Sequence, residues 1–171
     1  YLDCPMCTNR TCRKARHFIV SCEPLLININ DWTRKMAKKK RALQGIRVLD
    51  ASTVIAGPTI GMLLGDFGAD VIKIEHPRGD VLRETGHQKD GVGLWFKMAN
   101  RNKRCITMNF STSEGAELLK ELIKTTDVLI ENFRTSTMEK WGLGWDTLKV
   151  INPGLVMVRV TGFGQTGPYK M

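Results

Sequence analysis

The segment from Gly45 to Lys73 limits the fold of this chain more than any other part of the sequence. It begins with the apolar run from Ile46 to Leu49, passes through a loop into a glycine-bearing helical pattern, and reaches a second apolar run at Val71. Apolar runs without sustained polar alternation are typical of strands covered on both faces, as in a parallel sheet. A strand, a crossover helix and a second strand form a βαβ unit, so the segment predicts the opening of an α/β sheet.

Three further apolar runs follow, with helical patterns between them: Cys105 to Met108, Val128 to Ile130 and Leu155 to Val160. Together the runs predict an α/β fold, a Rossmann-like parallel sheet with flanking helices and right-handed crossovers. Sheets of this kind bind ligands at the carboxyl ends of their strands. We therefore expect the loops that follow the strands to carry the function, including the glycine-rich segment from Thr161 to Pro168.

The first crossover helix contains several glycines. Gly57, Gly61 and Gly65 fall on one side of it, and Pro58 lies just inside its start, where a missing N–H costs nothing. Each glycine weakens a helix by about 1 kcal/mol relative to alanine, so a close approach should offset the loss. The sequence leaves two explanations open, which are close packing alone and a bound group at the helix N-terminus.

Composition divides the chain into a leader, residues 1–43, and a body, residues 44–171. The leader has none of the 16 glycines, four of the five cysteines and seven of the nine net positive charges. We expect it to be poorly ordered, with Lys38 to Arg41 as a solvated charge run and no nucleic-acid partner. No apolar run approaches the roughly 20 residues that span a bilayer, so we expect no membrane partner and a cytoplasmic protein.

Five potential zinc ligands lie close together in the leader: Cys4, Cys7, Cys12, His17 and Cys22. Their spacing is not that of two paired CxxC motifs, and no glycine is available for tight turns. We expect no metal site, and a zinc-binding module in the leader remains an alternative. The basic residues ahead of Phe18 leave organelle targeting open, although the apolar core that follows them is short for a targeting peptide.

A nicotinamide-dinucleotide-binding domain is a second alternative. Glu75 lies about 20 residues after the first loop, where a ribose-binding acid would be expected. The first loop nevertheless lacks the Gly-x-Gly-x-x-Gly fingerprint. An NAD(P)-dependent oxidoreductase is therefore the runner-up. Cys105, inside a predicted strand, is interpreted as a buried thiol without a catalytic role.

Short blocks of the body follow one another in the order that a known enzyme family shows. They are Gly45 to Asp50, Ala56-Gly57-Pro58, Leu64 to Glu75, Asn100 to Arg104, Asp127 to Phe133, Gly142-Leu143-Gly144, Asn152-Pro153 and Thr161 to Pro168. Through these blocks, residues 45–169 resemble the N-terminal part of the class III coenzyme A transferases, the formyl-CoA and carnitine-CoA transferase type. The resemblance implies that the body is an incomplete part of the family's large domain.

The resemblance also implies which residues contact CoA. Those placed after the strands are Val54, Ile55, Ala56, His76, Met108, Asn109, Phe110, Ser111, Asn132, Phe133 and Lys140. A further cationic cluster of Arg101, Lys103 and Arg104 is expected to face the 3′-phosphate, because charge-assisted hydrogen bonds suit phosphate groups. One departure from the family pattern is Thr135-Ser136, where relatives commonly have Pro-Gly, and it loosens the predicted turn before Lys140.

The resemblance implies a transferase that moves CoA from an acyl-CoA to a carboxylic acid through an aspartyl-linked intermediate. It places the nucleophilic aspartate beyond residue 171, so we assign no catalytic residue and expect the chain to be inactive alone. CoA and acyl-CoA are substrates, and no tightly bound cofactor is implied. The family's interlocked homodimer is the expected assembly of the full-length protein.

Overall fold

The computed structural model describes residues 40–170. The candidate zinc ligands and the targeting pattern of the leader lie outside the described residues. None of the helices among residues 40–170 combines the length and apolar character that crossing a bilayer requires.

The five strands of the main sheet are separated along the described chain by helical segments. In chain order the elements are β1 Arg47–Asp50, α1 Ala56–Asp66, β2 Asp70–Glu75, a 3₁₀ turn at Val81–Arg83, β3 Gln88–Lys89, β4 Val92–Gly93, α2 Leu94–Ala99, β5 Lys103–Thr107, α3 Ser113–Ile123, β6 Val128–Glu131, α4 Thr137–Lys140, α5 Trp145–Ile151 and β7 Val156–Arg159. The short strands β3 and β4 form an antiparallel hairpin apart from the main sheet.

The predicted parallel sheet is confirmed. Its five strands run in the order β5-β2-β1-β6-β7, and every neighbouring pair is parallel. The first described strand, β1, therefore lies in the middle of the sheet, β2 and β5 extend the sheet on one side of it, and β6 and β7 extend it on the other. In open α/β sheets, ligands bind in the crevice where the strand order reverses, which here lies between the carboxyl ends of β1 and β6.

Both faces of the sheet are packed. On one face Val48, Val71 and Ile130 pack with Ile60 and Leu64 of α1. A larger cluster joins the other face to α3 and α5 and includes Leu49, Ile74, Leu119, Ile123, Leu129 and Leu148. Since strand side chains alternate between faces, Asp50 and Lys73 share the α1 face with Val48 and Val71.

The strand β5 departs from the prediction of cover on both faces. Its residues Arg104 to Thr107 are exposed among the described residues, because β5 is an edge strand that pairs only with β2. The interpretation of Cys105 as a buried thiol is therefore wrong, since Cys105 is a free cysteine at an exposed position.

Close packing accounts for the glycines of α1. Gly57, Gly61 and Gly65 are buried, and a Cβ at Gly61 would lie 2.9 Å from Asp50 Oδ2. A Cβ at Gly65 would lie 3.3 Å from the carbonyl oxygen of Asn102. The glycine side of α1 therefore lies against the polar end of β1 and the start of β5 at distances that leave little room for a methyl group. The alternative of a bound group at the helix N-terminus stays a prediction.

Candidate functional site

The loop between β1 and α1, residues Ser52 to Ile55, lies at the point where the strand order reverses. The side chain of Asn132, just after β6, bridges to it with two hydrogen bonds. Asn132 Oδ1 accepts from the Thr53 amide at 2.8 Å, and Asn132 Nδ2 donates to the Thr53 carbonyl oxygen at 2.8 Å. One side-chain amide thus continues the pairing of β1 with β6 beyond the strand ends.

Two oppositely charged side chains hold the neighbouring backbone groups of the same loop. Lys73 Nζ donates to the Ser52 carbonyl oxygen and lies 3.2 Å from Asp80 Oδ2. Asp80 Oδ2 in turn accepts from the Val54 amide at 3.2 Å. The Lys73 and Asp80 side chains are 0% and 1% exposed, so the ion pair is removed from solvent.

A second buried ion pair lies beneath α1. Asp50 Oδ2 accepts from Lys103 Nζ at 2.7 Å, and Asp50 Oδ1 accepts from the Ser52 amide at 3.1 Å. Lys103 Nζ also donates to the carbonyl oxygen of Pro58 at 2.7 Å and to Asn100 Oδ1 at 3.0 Å. Burial lowers the pKa of the Lys103 ammonium group, and the neighbouring Asp50 carboxylate opposes that shift.

Each residue of the predicted cationic cluster of Arg101, Lys103 and Arg104 pairs with a different carboxylate. Arg101 pairs with Asp66 at the end of α1, and Arg104 lies 2.8 Å from Asp70 at the start of β2. Both arginines are therefore near the amino-terminal edge of the sheet, away from the reversal point, and Lys103 is enclosed by its own pair. Tertiary contacts bring a separate carboxylate to each of the three residues, which does not favour a shared phosphate contact. The expectation that they face the 3′-phosphate stays a prediction.

A small apolar cavity opens at the carboxyl ends of β1, β2 and β5. Its volume is about 280 Å³, and its lining is Ala51, Thr53, Ile74, His76, Met108, Asn109, Phe110, Ser111, Phe133 and Trp141. Phe110, Phe133 and Trp141 form an aromatic cluster with ring centroids 5.1 to 6.3 Å apart. The structure thus brings together six residues that the sequence placed after three separate strands: His76, Met108, Asn109, Phe110, Ser111 and Phe133.

A larger, open cleft adjoins this cavity through Phe133. Its volume is about 860 Å³, and its lining is Ala56, Asn132, Phe133, Arg134, Thr135, Thr137, Lys140, Val160, Thr161, Gly162, Phe163, Tyr169 and Lys170. The residues Arg134 and Lys170 were not among the predicted contacts, although the glycine-rich loop beside them was expected to carry function. Within residues 40–170, Arg134, Lys140 and Lys170 have no carboxylate within ion-pair distance.

A buried glutamate holds the wall that the cavity and the cleft share. Glu131 Oε2 accepts from the Phe133 amide at 2.7 Å, and Glu131 Oε1 accepts from Arg159 Nε at 2.6 Å. Arg159 continues to Glu139 of α4 with a hydrogen bond of 2.6 Å. This bond from Arg159 lowers the pKa of the Glu139 carboxyl group. The chain of contacts ties β6 and β7 to the short helix that carries Lys140.

Comparison with known proteins identifies the family. The family model described as CoA-transferase family III matches residues 43–171. The chain belongs to this family. It is 58% identical over 130 residues to the succinyl-CoA–L-malate CoA-transferase beta subunit of Chloroflexus aurantiacus, covering 75% of this chain and 32% of that protein. It is 45% identical over 130 residues to the formyl-CoA:oxalate CoA-transferase of Streptomyces coelicolor, covering the same shares.

A solved structure superposes on the described fold. The crystal structure of a CAIB/BAIF family protein from Brucella suis matches with a TM-score of 0.73 and 43% identity, over 77% of this chain and 36% of that one. The chain spans about a third of the length of the relatives it matches. Most of the residues that the resemblance singled out lie at the carboxyl edge of the sheet, whereas Arg101, Lys103 and Arg104 do not line the cavity or the cleft.

Proposed function

We propose that this protein moves CoA from an acyl-CoA to a carboxylic acid, and that residues 44–171 supply part of its CoA-binding surface. The observation that carries the proposal is the joined cavity and cleft at the reversal point of the sheet. An apolar, aromatic-lined recess there continues into an open cleft with three cationic side chains. CoA likewise has two chemically different ends, a polyanionic nucleotide that would suit the cationic cleft and a slender thiol-bearing arm that would suit the apolar recess.

The charges at the cleft favour a phosphate-bearing ligand. Arg134, Lys140 and Lys170 line it, and none of them is neutralised by a carboxylate among the described residues. Arginine and lysine bind phosphate oxygens through charge-assisted hydrogen bonds. We therefore assign the phosphate contacts to these three cations instead of to Arg101, Lys103 and Arg104, which the structure places in ion pairs elsewhere.

The loop contacts are proposed as the resemblance implies. Val54, Ile55 and Ala56 form the backbone wall against CoA, and His76 contacts CoA from the lining of the recess. Met108 to Ser111 and Phe133 contact CoA from the lining of the recess, and Asn132 from the lining of the cleft. Val54 and Ile55 are 41% and 40% exposed, and Ala56 at the start of α1 is also exposed, so these three residues are open to a ligand.

The proposed chemistry is covalent catalysis by an aspartate. Its carboxylate attacks the acyl-CoA thioester, giving a mixed anhydride and a CoA thiolate, and the thiolate then returns to form an aspartyl-CoA thioester. The leaving acyl group departs as a carboxylate, and the incoming acid repeats the two steps in reverse and receives CoA.

The buried carboxylates near the site do not suit the role of nucleophile. Asp50, Asp80 and Glu131 each accept hydrogen bonds from a cation and from a backbone amide, so both oxygens of each carboxylate are already engaged. We place the nucleophile outside residues 1–171 and propose that this chain alone does not transfer CoA.

The resemblance and the composition of the chain support three further proposals. They are a cytoplasmic location, an interlocked homodimer, and the division of the chain into a leader, residues 1–43, and a body, residues 44–171.

The test measures CoA binding and transfer with one variant and one control. Titration calorimetry of the full protein should detect CoA binding that NAD does not compete with. Lys140→Ala should weaken CoA binding roughly tenfold, because a charge-assisted contact to phosphate is lost. Lys124→Ala, which removes an exposed lysine paired with Glu121 on α3, should leave the affinity unchanged.

Transfer is followed with succinyl-CoA as donor and L-malate as acceptor, since relatives are named for these compounds. Appearance of malyl-CoA supports the proposal. Tight binding of NAD with no binding of CoA would overturn it and favour the oxidoreductase alternative.

A further inference from the structure

The backbone of the β1–α1 loop is held almost entirely by side chains. Its successive polar groups, from the Ser52 amide to the Val54 amide, have four partners: Asp50, Lys73, Asn132 and Asp80. Loops of this length normally satisfy such groups with solvent or with one another. Here each partner lies within a strand, directly after a strand or in the turn after β2, so the loop is held by the sheet.

One residue of the loop, Val54, has a backbone conformation that is unfavourable without such contacts. Val54 has φ of 63°, in the left-handed region, although it is a β-branched residue. β-Branched residues rarely adopt this region, and the conformation persists where surrounding contacts impose it. The contact on Val54 is its amide, which donates to both oxygens of Asp80 at 3.2 and 3.4 Å.

The Asp80 carboxylate is itself held in one place. It lies beside Lys73 Nζ and also accepts from the Leu82 amide at 3.0 Å, at the start of the 3₁₀ turn. Both members of the pair are buried, which makes the pair costly to form unless its geometry is specific. Neither residue lines the cavity or the cleft described above. Both residues instead contact the backbone of the β1–α1 loop.

We propose that Lys73 and Asp80 are positioning residues that hold Val54 and the start of α1 in the conformation that receives CoA. Lys73 fixes the carbonyl group of Ser52, and Asp80 fixes the amide of Val54, two residues further on. The pair thereby determines the direction in which Val54, Ile55 and Ala56 leave the sheet. The inference rests on the proposed function, because it assigns these three residues to the CoA-binding wall.

The experiment separates the hydrogen-bond acceptor from the ion pair. Removing one charge alone would leave its partner buried and unpaired, and such a variant could fail to fold. Two double variants avoid this difficulty, namely K73M/D80N and K73M/D80L. Both lack the charges, but only the asparagine can still accept a hydrogen bond from the Val54 amide.

Two readouts are taken from the full protein. Hydrogen–deuterium exchange of the peptide covering residues 52–56 should be at least about tenfold faster in K73M/D80L than in K73M/D80N, and the Kd for CoA should rise by a similar factor. The control is Asp127→Asn, since the Asp127 carboxylate accepts from the Arg47 amide at 2.7 Å near the opposite edge of the sheet. This control should lower stability and leave both readouts as in the wild type.

The outcomes are distinct. Equal exchange in the two double variants overturns the positioning role, and so does faster exchange with an unchanged Kd for CoA. If the wild type does not bind CoA, the proposed function fails, and the role of Asp80 in holding the loop is judged from exchange alone.

Discussion

Gly61 of α1 lies directly against Asp50 at the end of β1. A Cβ on Gly61 would come within 2.9 Å of Asp50 Oδ2 and 3.3 Å of Lys103 Cε. The helix can therefore approach the buried ion pair only because residue 61 has no side chain. The same approach lets Lys103 Nζ reach the carbonyl oxygen of Pro58 in the first turn of α1.

Replacing this glycine should destabilise the protein. Gly61→Ala gains about 1 kcal/mol of helix propensity but inserts a methyl group where no space exists, and overpacking of this kind costs about 1–3 kcal/mol. We expect a net loss in the free energy of unfolding, measured by urea denaturation. Leu63→Ala, at an exposed position of the same helix, should change it by about 0.5 kcal/mol or less. A Gly61→Ala protein more stable than the wild type would contradict this packing.

Removing one member of the buried Asp50–Lys103 pair should destabilise the protein more than neutralising both members. Lys103→Met leaves Asp50 buried without its cation and should cost about 3–5 kcal/mol of unfolding free energy. The double variant Asp50→Asn with Lys103→Met should recover much of that loss, because no uncompensated charge remains. Arg104→Met removes the exposed neighbouring pair and should cost about 1 kcal/mol or less. Equal losses for Lys103→Met and Arg104→Met would show that Lys103 is not buried as described.

Glu75 should make the free energy of unfolding depend on pH. Burial alone would raise the pKa of Glu75, but hydrogen bonds from Arg83 and from the Asp80 amide outweigh burial and hold the pKa below its ordinary value. A carboxyl group with a lowered pKa in the folded state stabilises the fold above its unfolded-state pKa, and this contribution is lost as the pH falls through the folded-state value.

The free energy of unfolding should therefore decrease from about pH 4.5 downward, and Glu75→Gln should flatten that decrease. Arg83→Gln should flatten it as well, since it removes the hydrogen bonds that lower the pKa. Chemical denaturation at a series of pH values measures the slope. An identical slope in the wild type and in Glu75→Gln would contradict the assignment.

A substitution at Asn132 should weaken CoA binding, because its side chain holds the backbone of Thr53 in the β1–α1 loop. Asn132→Asp keeps the acceptor for the Thr53 amide but places a carboxylate oxygen against the Thr53 carbonyl oxygen, where Nδ2 now donates. We expect a loss of about 1–3 kcal/mol in stability and a weaker affinity for CoA by about tenfold, measured by denaturation and calorimetry.

Asn152 offers a matched control. Like the Nδ2 of Asn132, its Nδ2 donates to backbone carbonyl groups, here those of Ile123 and Thr126 near the amino-terminal edge of the sheet. Asn152→Asp should cost comparable stability and leave the affinity for CoA unchanged. Equal effects of the two variants on affinity would show that binding follows global stability and not the shape of the loop.

The strands were predictable because their signal is local. The apolar runs that begin near Ile46, Val71 and Val128 predicted β1, β2 and β6 within a few residues of their observed ends. A strand that is buried on both faces needs apolar side chains at consecutive positions, and such a run is visible in the sequence. The edge strand β5 lacks this constraint, which is why Cys105 was misread as buried.

The sequence alone determined the class of fold, the family and the loops that meet at the reversal point, since these follow from local periodicity and from blocks of consecutive residues. Only the tertiary structure decided which charges remain available. Lys103 and Asp50 are 53 positions apart, and Asn132 and Thr53 are 79 apart. Whether a cation meets a carboxylate or a ligand depends on such distant pairings, which leave no periodic trace in the chain.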